Sequence, residues 1–378
     1  KKMNKTNKNI FWCKNCVTMS TRPRITFDNR GYCSACQWSE KKKTIDWSKR
    51  EKMLKELLDK HRSNGNRYDC ITTVSGGKDG SYVSYNIKHK YKMDPLAVTF
   101  RPIMETDIGK ENLNSFINSG YDHIHVTPDH EAMRVLNKIG LTDLGFPYYG
   151  WLMGIHTAVL RVALQMNIPL VFYSEDGEVE YGGDAKFKNH GVYDVDYQIS
   201  RYMEGGYDKI IKKAKNLGLN SRQLYWFTYP SKDELKNFKL ELTHYGFYEN
   251  WDPYRNYVLA KEKCGLKEAP TLNEGSYTNF AQTDQKIYLL HVYFMYLKFG
   301  FGRTTQDAGI DVRRGAMTRS QAVQLVQMYD DMYPESLFEE YCDYFKMSMK
   351  EFQENIDKWA NKKLFEKKNR WVPKFKIT

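Results

Sequence analysis

The sequence lacks a long hydrophobic run. Hydrophobic residues make up 41% of the 378 positions. The longest aromatic and aliphatic stretch, residues 287–301, is too short to span a bilayer and is interrupted by Lys298. The Lys- and Asn-rich start carries no apolar segment typical of a secretory signal. We therefore expect a soluble, cytoplasmic protein without membrane insertion.

Acidic residues are outnumbered by basic ones. The 58 Lys and Arg residues exceed the 46 Asp and Glu residues, and the formal net charge is +12. A basic chain favours anionic partners, namely nucleic acid, anionic lipid or phosphorylated small molecules. Part of the excess lies in residues 1–10 and 362–376, where solvated tails explain it equally well. Charge alone does not choose among these partners.

Cysteine is sparse, with seven residues, but four of them form two close pairs. Cys13, Cys16, Cys33 and Cys36 have the spacing C-x2-C-x16-C-x2-C, which is typical of a four-thiolate zinc site. Disulfides and a redox or iron–sulfur centre are the alternatives, and a reducing cytoplasm disfavours disulfides. Because four thiolates leave no open coordination position, we assign the zinc to folding and not to catalysis.

Strand and helix patterns alternate through the middle of the chain. The apolar runs that predict strands are residues 68–74, 96–100, 123–126 and 170–173. This alternation predicts an α/β fold with a parallel sheet and right-handed crossovers. We expect three regions: a zinc-ribbon-like module over 1–45, an α/β core over 46–180, and a substrate-facing insertion with a helical C-terminal region over 181–378. Within the insertion, a short helix is predicted near residues 232–245.

The most informative stretch joins the first predicted strand to the next helix. It reads Ser-Gly-Gly-Lys-Asp-Gly-Ser. Its glycines let backbone N–H groups approach an anion, and the helix N-terminus adds a positive dipole end. Lys78 can neutralise phosphate, and Asp79 can hold Mg2+. The predicted phosphate site consists of Ser75, Gly76, Gly77, Lys78, Asp79, Gly80 and Ser81.

Two better-known phosphate motifs are absent from this stretch. A Walker A loop needs Gly where Thr72 stands, and it needs a hydroxyl residue after Lys78, where Asp79 stands. The dinucleotide pattern G-x-G-x-x-G is also missing. The remaining alternative is an ordinary glycine-rich turn between a strand and a helix.

Residues 75–79 resemble the SGGxDS pyrophosphate loop of the PP-loop ATP pyrophosphatases. The resemblance implies cleavage of ATP to AMP and pyrophosphate while a substrate oxygen is adenylated, with Lys78 and Asp79 as the catalytic residues. Gly80 stands where that pattern has Ser, so Ser81 is the candidate for the missing hydroxyl. The resemblance also places adenine at the end of the second strand, against Val98, Thr99 and Phe100.

The whole chain resembles the N-acetyl sugar amidotransferases of the WbpG/PseA type, which act in lipopolysaccharide and flagellar-glycan synthesis, including pseudaminic acid. The stretches that carry the likeness are the cysteine pairs with residues 21–23 between them, residues 75–79, residues 180–183 and residues 299–303. The resemblance implies conversion of an acetamido group to an acetamidino group with ATP, Mg2+ and a structural zinc. The implied substrate-binding residues are Glu175, Asp176, Tyr181, Gly182, Gly183 and Arg303.

Two of these residues have independent support. Glu175 and Asp176 follow the fourth predicted strand, at the carboxyl edge where parallel sheets bind ligands. Asp176 departs from the family, which has Asn at that position. A polar surface loop is the alternative reading of the two acidic residues.

No glutaminase nucleophile is recognisable in the sequence. Cys264 and Cys342 are isolated, so the resemblance implies a separate glutaminase subunit that supplies ammonia. The sugar stays open between a free or CMP-linked nonulosonic acid and a UDP-linked diacetamido uronic acid.

The main competing interpretation is a tRNA-modifying PP-loop enzyme, thiolating or amidating, that uses the basic charge and the zinc module for RNA. Cys70, Cys264 and Cys342 are single, so no cysteine pair remains outside the zinc module to carry sulfur. This disfavours thiolation, and we expect no nucleic-acid partner. A zinc-ribbon binding protein without catalysis would leave the glycine-rich loop unexplained.

Overall fold

The computed structural model describes residues 10–183, 189–203 and 206–378, so the basic lead expected at the start of the chain lies almost wholly outside the described residues. The strands are β1 (Cys70–Thr73), β2 (Pro95–Phe100), β3 (His123–Val126), β4 (Leu170–Tyr173), β5 (Val192–Tyr193), β6 (Glu241–His244), β7 (Phe365–Lys367) and β8 (Trp371–Pro373).

The helices begin in the N-terminal module and continue to the end of the chain. They are α1 (Ser34–Lys42), α2 (Trp47–His61), α3 (Lys78–Tyr85), α4 (Asp107–Asn118), α5 (His130–Ile139), α6 (Tyr149–Gln165), α7 (Gly177–Glu180), α8 (Val195–Tyr202), α9 (Tyr207–Asn216), α10 (Pro253–Cys264), α11 (Ile287–Phe299), α12 (Arg303–Arg313), α13 (Arg319–Tyr329), α14 (Phe338–Phe345) and α15 (Met349–Trp359). Among the described residues, no helix has both the length and the apolar character needed to cross a membrane.

A mostly parallel sheet organises these elements. Its strand order is β3-β2-β1-β4-β6-β5, and only β5 runs antiparallel to its neighbour. The chain moves outward in one direction from β1 to β3 and then returns to place β4 on the other side of β1. The loops that leave β1 and β4 therefore diverge and open a crevice, which is where such sheets bind ligands. The predicted α/β class with a parallel sheet is confirmed.

Both faces of the sheet are covered by helices. Ile71 and Val171 point to a core shared with α5 and α6, whereas Cys70, Leu170 and Phe172 point to a core shared with α2 and α3. The alternation follows from the two-residue period of a strand. Burial on both faces explains why these strands appear in the sequence as continuous apolar runs.

The helix predicted near residues 232–245 is wrong. Residues 241–244 form β6, which pairs in parallel with β4. The sequence hides this strand because its first residue is a buried carboxylate: Glu241 accepts hydrogen bonds from Lys60 Nζ at 2.6 Å and from His61 Nε2. A buried charge persists only when it is paired, and its partners here are remote in sequence. The sheet thus extends past residue 180.

Four cysteines meet at one point in the N-terminal module. The Sγ atoms of Cys13, Cys16, Cys33 and Cys36 all lie within 4.8 Å of one another, and all four side chains are buried. The Cys13–Cys36 and Cys16–Cys33 sulfur distances are 3.8 Å and 3.6 Å. A disulfide needs about 2.05 Å, whereas thiolates on a tetrahedral zinc, with bonds of about 2.3 Å, lie about 3.8 Å apart. The cysteines are positioned to bind a structural zinc ion, as predicted.

Polar groups surround the cysteine sulfurs. The backbone N–H of Cys33 donates to Cys13 Sγ at 3.2 Å, and Asn15 Nδ2 donates to Cys36 Sγ at 3.2 Å. Arg313 Nη1 lies 3.7 Å from Cys16 Sγ. These donors orient the thiolates and offset the net negative charge of four thiolates on one Zn2+.

We expect the purified protein to hold about one zinc ion per chain, because four thiolates complete a structural site. Cys13→Ser should lower both the zinc content and the melting temperature, since metal binding contributes to folding. Metal analysis and thermal unfolding check this, with Cys342→Ala as the control that keeps its zinc. Metal-free wild-type protein, or an iron–sulfur absorption band, would contradict the assignment.

Candidate functional site

The glycine-rich loop leaves the carboxyl end of β1 and enters α3. Gly76 has a φ of +85°, and a Cβ there would lie 2.4 Å from the backbone nitrogen of Leu113 in α4. A side chain at this position would be strained by the left-handed backbone and would collide with α4. Glycine therefore fixes the path of the loop between the sheet and the helix.

Gly80 lies in the first turn of α3, where the helix passes the end of β1. A Cβ there would lie 2.7 Å from the Thr73 carbonyl oxygen and 3.0 Å from Val74 Cα. The serine of the family pattern therefore does not fit this backbone without a shift of the helix. Ser81 is buried beside the Cys264 thiol and does not line the cavity described next.

A cavity of about 520 Å³ opens at the carboxyl ends of β1 and β4. This volume lies within the range of about 300–1,000 Å³ that is usual for small-molecule sites. The predicted site residues that line the cavity are Ser75, Gly76, Gly77, Lys78, Asp79, Gly80, Val98, Phe100, Glu175, Tyr181 and Arg303. The sequence motifs, which lie far apart in the chain, thus converge on one cavity.

Other predicted residues do not line this cavity. The Thr99 hydroxyl donates to the Val74 carbonyl at 2.8 Å inside the sheet. Asp176 caps α7 and pairs with Arg201 Nη2 at 3.2 Å. Gly182 packs against α1, where a Cβ would lie 2.8 Å from the Ala35 nitrogen, and Gly183 N donates to the Glu178 carbonyl at 2.6 Å. These four residues therefore stabilise the fold and do not contact a ligand in the cavity.

Two carboxylates meet at the crevice between β1 and β4. Asp79 forms an ion pair with Lys78 and accepts a hydrogen bond from Asn256 Nδ2 at 2.9 Å. Burial, followed by the negative charge of Asp79, raises the pKa of Glu175 to about 7 against the opposing effect of Lys78. Paired carboxylate oxygens are the ligands that Mg2+ takes in phosphate-transfer sites, so these residues fit a divalent cation.

The opposite wall of the cavity was not anticipated from the sequence. It consists of residues 280–285 together with Tyr148, which precedes α6, Trp151 of α6, and Tyr288 and His291 of α11. Burial raises the pKa of Asp284 to about 6 and lowers that of His291 to about 3. The apolar positions of α11 have the spacing of an ordinary core helix, and residues 280–285 match no known motif. The sequence therefore gave no reason to predict that either segment lines the cavity.

Arg303, the predicted anion clamp, is held at the cavity wall by other side chains. Its Nε lies 2.9 Å from Asp307 Oδ1, and its Nη1 donates to the Tyr288 hydroxyl at 3.1 Å. Asp307 also accepts from Ser276 Oγ at 2.6 Å. The ion pair with Asp307 compensates the positive charge of the Arg303 guanidinium. An anion bound in the cavity would therefore share Arg303 with Asp307.

Glu175→Gln should raise the melting temperature at mildly alkaline pH. The folded-state pKa of about 7 lies above the 4.5 of a free glutamate, so the folded state binds the proton more tightly and loses stability as the pH rises through that window. The difference between variant and wild type should shrink as the pH falls toward about 4.5. Thermal unfolding across this range checks it, with the exposed Glu56→Gln as control. A variant no more stable than wild type at alkaline pH would contradict this electrostatic assignment.

Comparison with known proteins finds a family model that matches the C-terminal part of the chain. Residues 274–376 match the family model described as "LPS biosynthesis protein WbpG-like, C-terminal domain". The matched segment includes residues 280–285, Tyr288 and Arg303, so it supplies the wall that faces the glycine-rich loop. It also includes α12, which contacts the cysteine cluster through Arg313.

A second comparison concerns a curated relative. The chain is 32% identical over 134 residues to an uncharacterised protein of Methanocaldococcus jannaschii. The aligned part covers 35% of this chain and 44% of that protein, so the chain spans less than half of its relative's length. That protein has no assigned activity. The C-terminal part of the chain is thus similar to WbpG-like proteins, which supports a role in the biosynthesis of lipopolysaccharide or a related glycan.

Proposed function

We propose that the protein is an ATP-dependent amidotransferase that converts the acetamido group of a bacterial sugar to an acetamidino group. The observation that carries the proposal is the meeting of the Ser75–Asp79 loop with Glu175 in one cavity at the crevice of the sheet. The WbpG-like segment forms the opposite wall of that cavity, and this supports a sugar as the second substrate.

The nucleotide binds with its phosphates on the glycine-rich loop. The loop and the N-terminus of α3 offer backbone N–H groups, and Lys78 adds a positive charge. Val98 and Phe100 at the end of β2 offer an apolar surface to adenine. Asp79 and Glu175 are the residues that would hold Mg2+. Bound there, the ion would neutralise charge on the phosphates.

The reaction follows from the poor leaving ability of an amide oxygen. The amide oxygen attacks the α-phosphorus of ATP, and pyrophosphate leaves. Ammonia then attacks the imidoyl carbon, and AMP leaves with the former amide oxygen. Lys78 stabilises the charge that develops on the departing pyrophosphate. Asp284, a partly buried carboxyl group on the cavity wall, is the candidate to accept the proton that the attacking ammonia loses.

The ammonia comes from a separate glutaminase subunit. The cysteines outside the zinc cluster, Cys70, Cys264 and Cys342, are all buried. Burial raises the pKa of each thiol, which disfavours the thiolate that a glutaminase nucleophile needs. The alternative function is a tRNA-modifying enzyme, which the net charge of +12 favours. The burial of these three thiols disfavours a thiolating enzyme of that class.

The isolated protein should be inert with glutamine, ATP, Mg2+ and an acetamido sugar. Ammonium salts at mildly alkaline pH should restore turnover, because free NH3 is the nucleophile and ammonium is not. A glutaminase partner should restore the use of glutamine at neutral pH. The assay follows AMP and the loss of one mass unit from the sugar, since NH replaces oxygen.

Two variants sharpen this experiment. Asp79→Asn should stay inert with ammonia, because the residue acts in the adenylation step that precedes ammonia attack. The exposed Glu56→Gln is the matched control and should behave as wild type. Glutamine-dependent turnover by the isolated chain would refute the two-subunit arrangement. Activity on tRNA without activity on any acetamido sugar would move the protein to the competing class.

A further inference from the structure

The loop between the two cysteine pairs contacts two other parts of the chain. The Thr21 hydroxyl donates a hydrogen bond to the Phe299 carbonyl at the end of α11. Arg24 binds the Glu178 carboxylate of α7 with two hydrogen bonds, of 3.1 Å from Nε and 2.7 Å from Nη2. The loop therefore connects the cysteine module to the C-terminal region and to the segment that leads into Tyr181.

Arg22 lies between these two contacts and packs against aromatic rings. Its Cζ atom lies 5.9 Å from the centre of the Tyr181 ring and 5.6 Å from the centre of the Phe301 ring. A guanidinium over the face of an aromatic ring at such a distance is attracted by the negative face of the ring. Phe301 belongs to the segment that is similar to WbpG-like proteins, whereas Tyr181 directly follows α7. Arg22 thus links two parts of the chain that both form cavity walls.

The stacked arginine has no counterion in the part of the chain that the structure describes. No carboxylate there forms an ion pair with Arg22, and its Nε atom is buried without a hydrogen-bond partner. Burial lowers the pKa of Arg22, and the opposing attraction of Glu178 acts from a distance because that carboxylate is bound to Arg24. An apolar side chain of similar size would avoid the cost of a buried charge, so packing alone does not account for an arginine here.

The backbone next to Arg22 is strained. Arg24 has a φ of +62°, in the left-handed region that residues with a Cβ rarely adopt. Such strain persists where the surrounding contacts fix it, and it is common at functional sites. The two hydrogen bonds from Arg24 to Glu178 are contacts that fix it here. The loop therefore holds Arg22 in place at a cost in local stability.

Tyr181 lies where this loop meets the candidate site. It lines the cavity of about 520 Å³ and also a neighbouring cavity of about 260 Å³. Lys78 and Glu175 line both cavities as well, so the two cavities meet at the glycine-rich loop. A displaced Tyr181 ring would change the boundary between them beside Glu175. Arg22 itself lines neither cavity.

We propose that Arg22 is a positioning residue, which holds the Tyr181 ring at the junction of the two cavities by stacking on it. It acts through Tyr181 and touches no substrate. The loop between the cysteine pairs is thereby part of the machinery of the site. The effect on turnover rests on the proposed function, whereas the placement of the Tyr181 ring rests on the contacts of Arg22 alone.

Fluorine NMR measures the placement of the ring, on the full zinc-loaded chain with 3-fluorotyrosine introduced at position 181 alone. Arg22→Leu should shift and broaden the resonance, because the ring loses the cation that holds it. Arg22→Lys should have a smaller effect, since an ammonium retains the charge but not the planar group that stacks. The control is Arg30→Gln, which should leave the resonance unchanged. Arg30 is exposed in the same loop, and its partners Asp28 and Glu40 lie within the module.

Kinetics with ammonia as nitrogen donor measure the consequence for the reaction. Arg22→Leu should lower kcat by about 10- to 100-fold, because small displacements of positioning groups cost that much. The KM for MgATP should change by less than about threefold, since Arg22 does not contact the glycine-rich loop. Arg22→Lys should recover part of kcat. Zinc content and melting temperature, measured on each variant, show whether the module is still folded.

The outcomes separate this proposal from the proposed function. A resonance that is unchanged in Arg22→Leu, equal effects of Arg22→Leu and Arg30→Gln, or a displaced ring with wild-type kcat would overturn the positioning role. If Arg22→Leu loses its zinc, an unchanged resonance in Arg22→Lys would overturn it as well. A resonance that depends on Arg22, in a wild-type protein inert with ammonia and every acetamido sugar, would retain the contact with Tyr181 and refute the amidotransferase.

Discussion

The site depends on the approach of two carboxylates, Asp79 and Glu175, at one crevice of the sheet. Adjacent parallel strands deliver them there, and burial, together with the charge of Asp79, raises the pKa of Glu175. The fold compensates one of them with Lys78 and Asn256 and leaves Glu175 with a pKa raised to about 7. A protein tolerates such a pair when a cation completes it, and a metal–phosphate complex is a ligand that meets this need.

The N-terminal module connects these carboxylates to a second cavity, of about 260 Å³, which is lined by Trp38, Lys42 and Tyr181 and shares Glu175 with the first. The cysteine cluster lies at the centre of the module. Side chains of α1 donate hydrogen bonds to Glu180 and to the Gly182 carbonyl. Tyr181, between these two residues, lines both cavities. The sequence assigned zinc to folding alone. The contacts extend that role, because a metal that fixes the module also fixes one wall of the second cavity.

Local patterns predicted the features that depend on local chemistry. The cysteine spacing located the metal cluster, and continuous apolar runs located β1 to β4. Contacts between residues far apart in the sequence were not predicted. β6 was missed because its buried carboxylate, Glu241, is paired with the remote residues Lys60 and His61. The hydrogen bond from Asn256 to Asp79 was missed because Asn256 belongs to no motif. Asp176 directly follows Glu175 in the sequence, but it pairs with Arg201 and does not line the cavity. The assignment of the core to the PP-loop fold stays a prediction from the loop.

In the proposed reaction, ATP activates the oxygen of a sugar amide. The most direct measurement follows that oxygen, with an acidic acetamido sugar carrying oxygen-18 at the amide carbonyl, incubated with the protein, MgATP and ammonia. We expect the label to appear in AMP and to be lost from the sugar as the amidine forms. Label retained in the sugar, or found in pyrophosphate or inorganic phosphate, would contradict it.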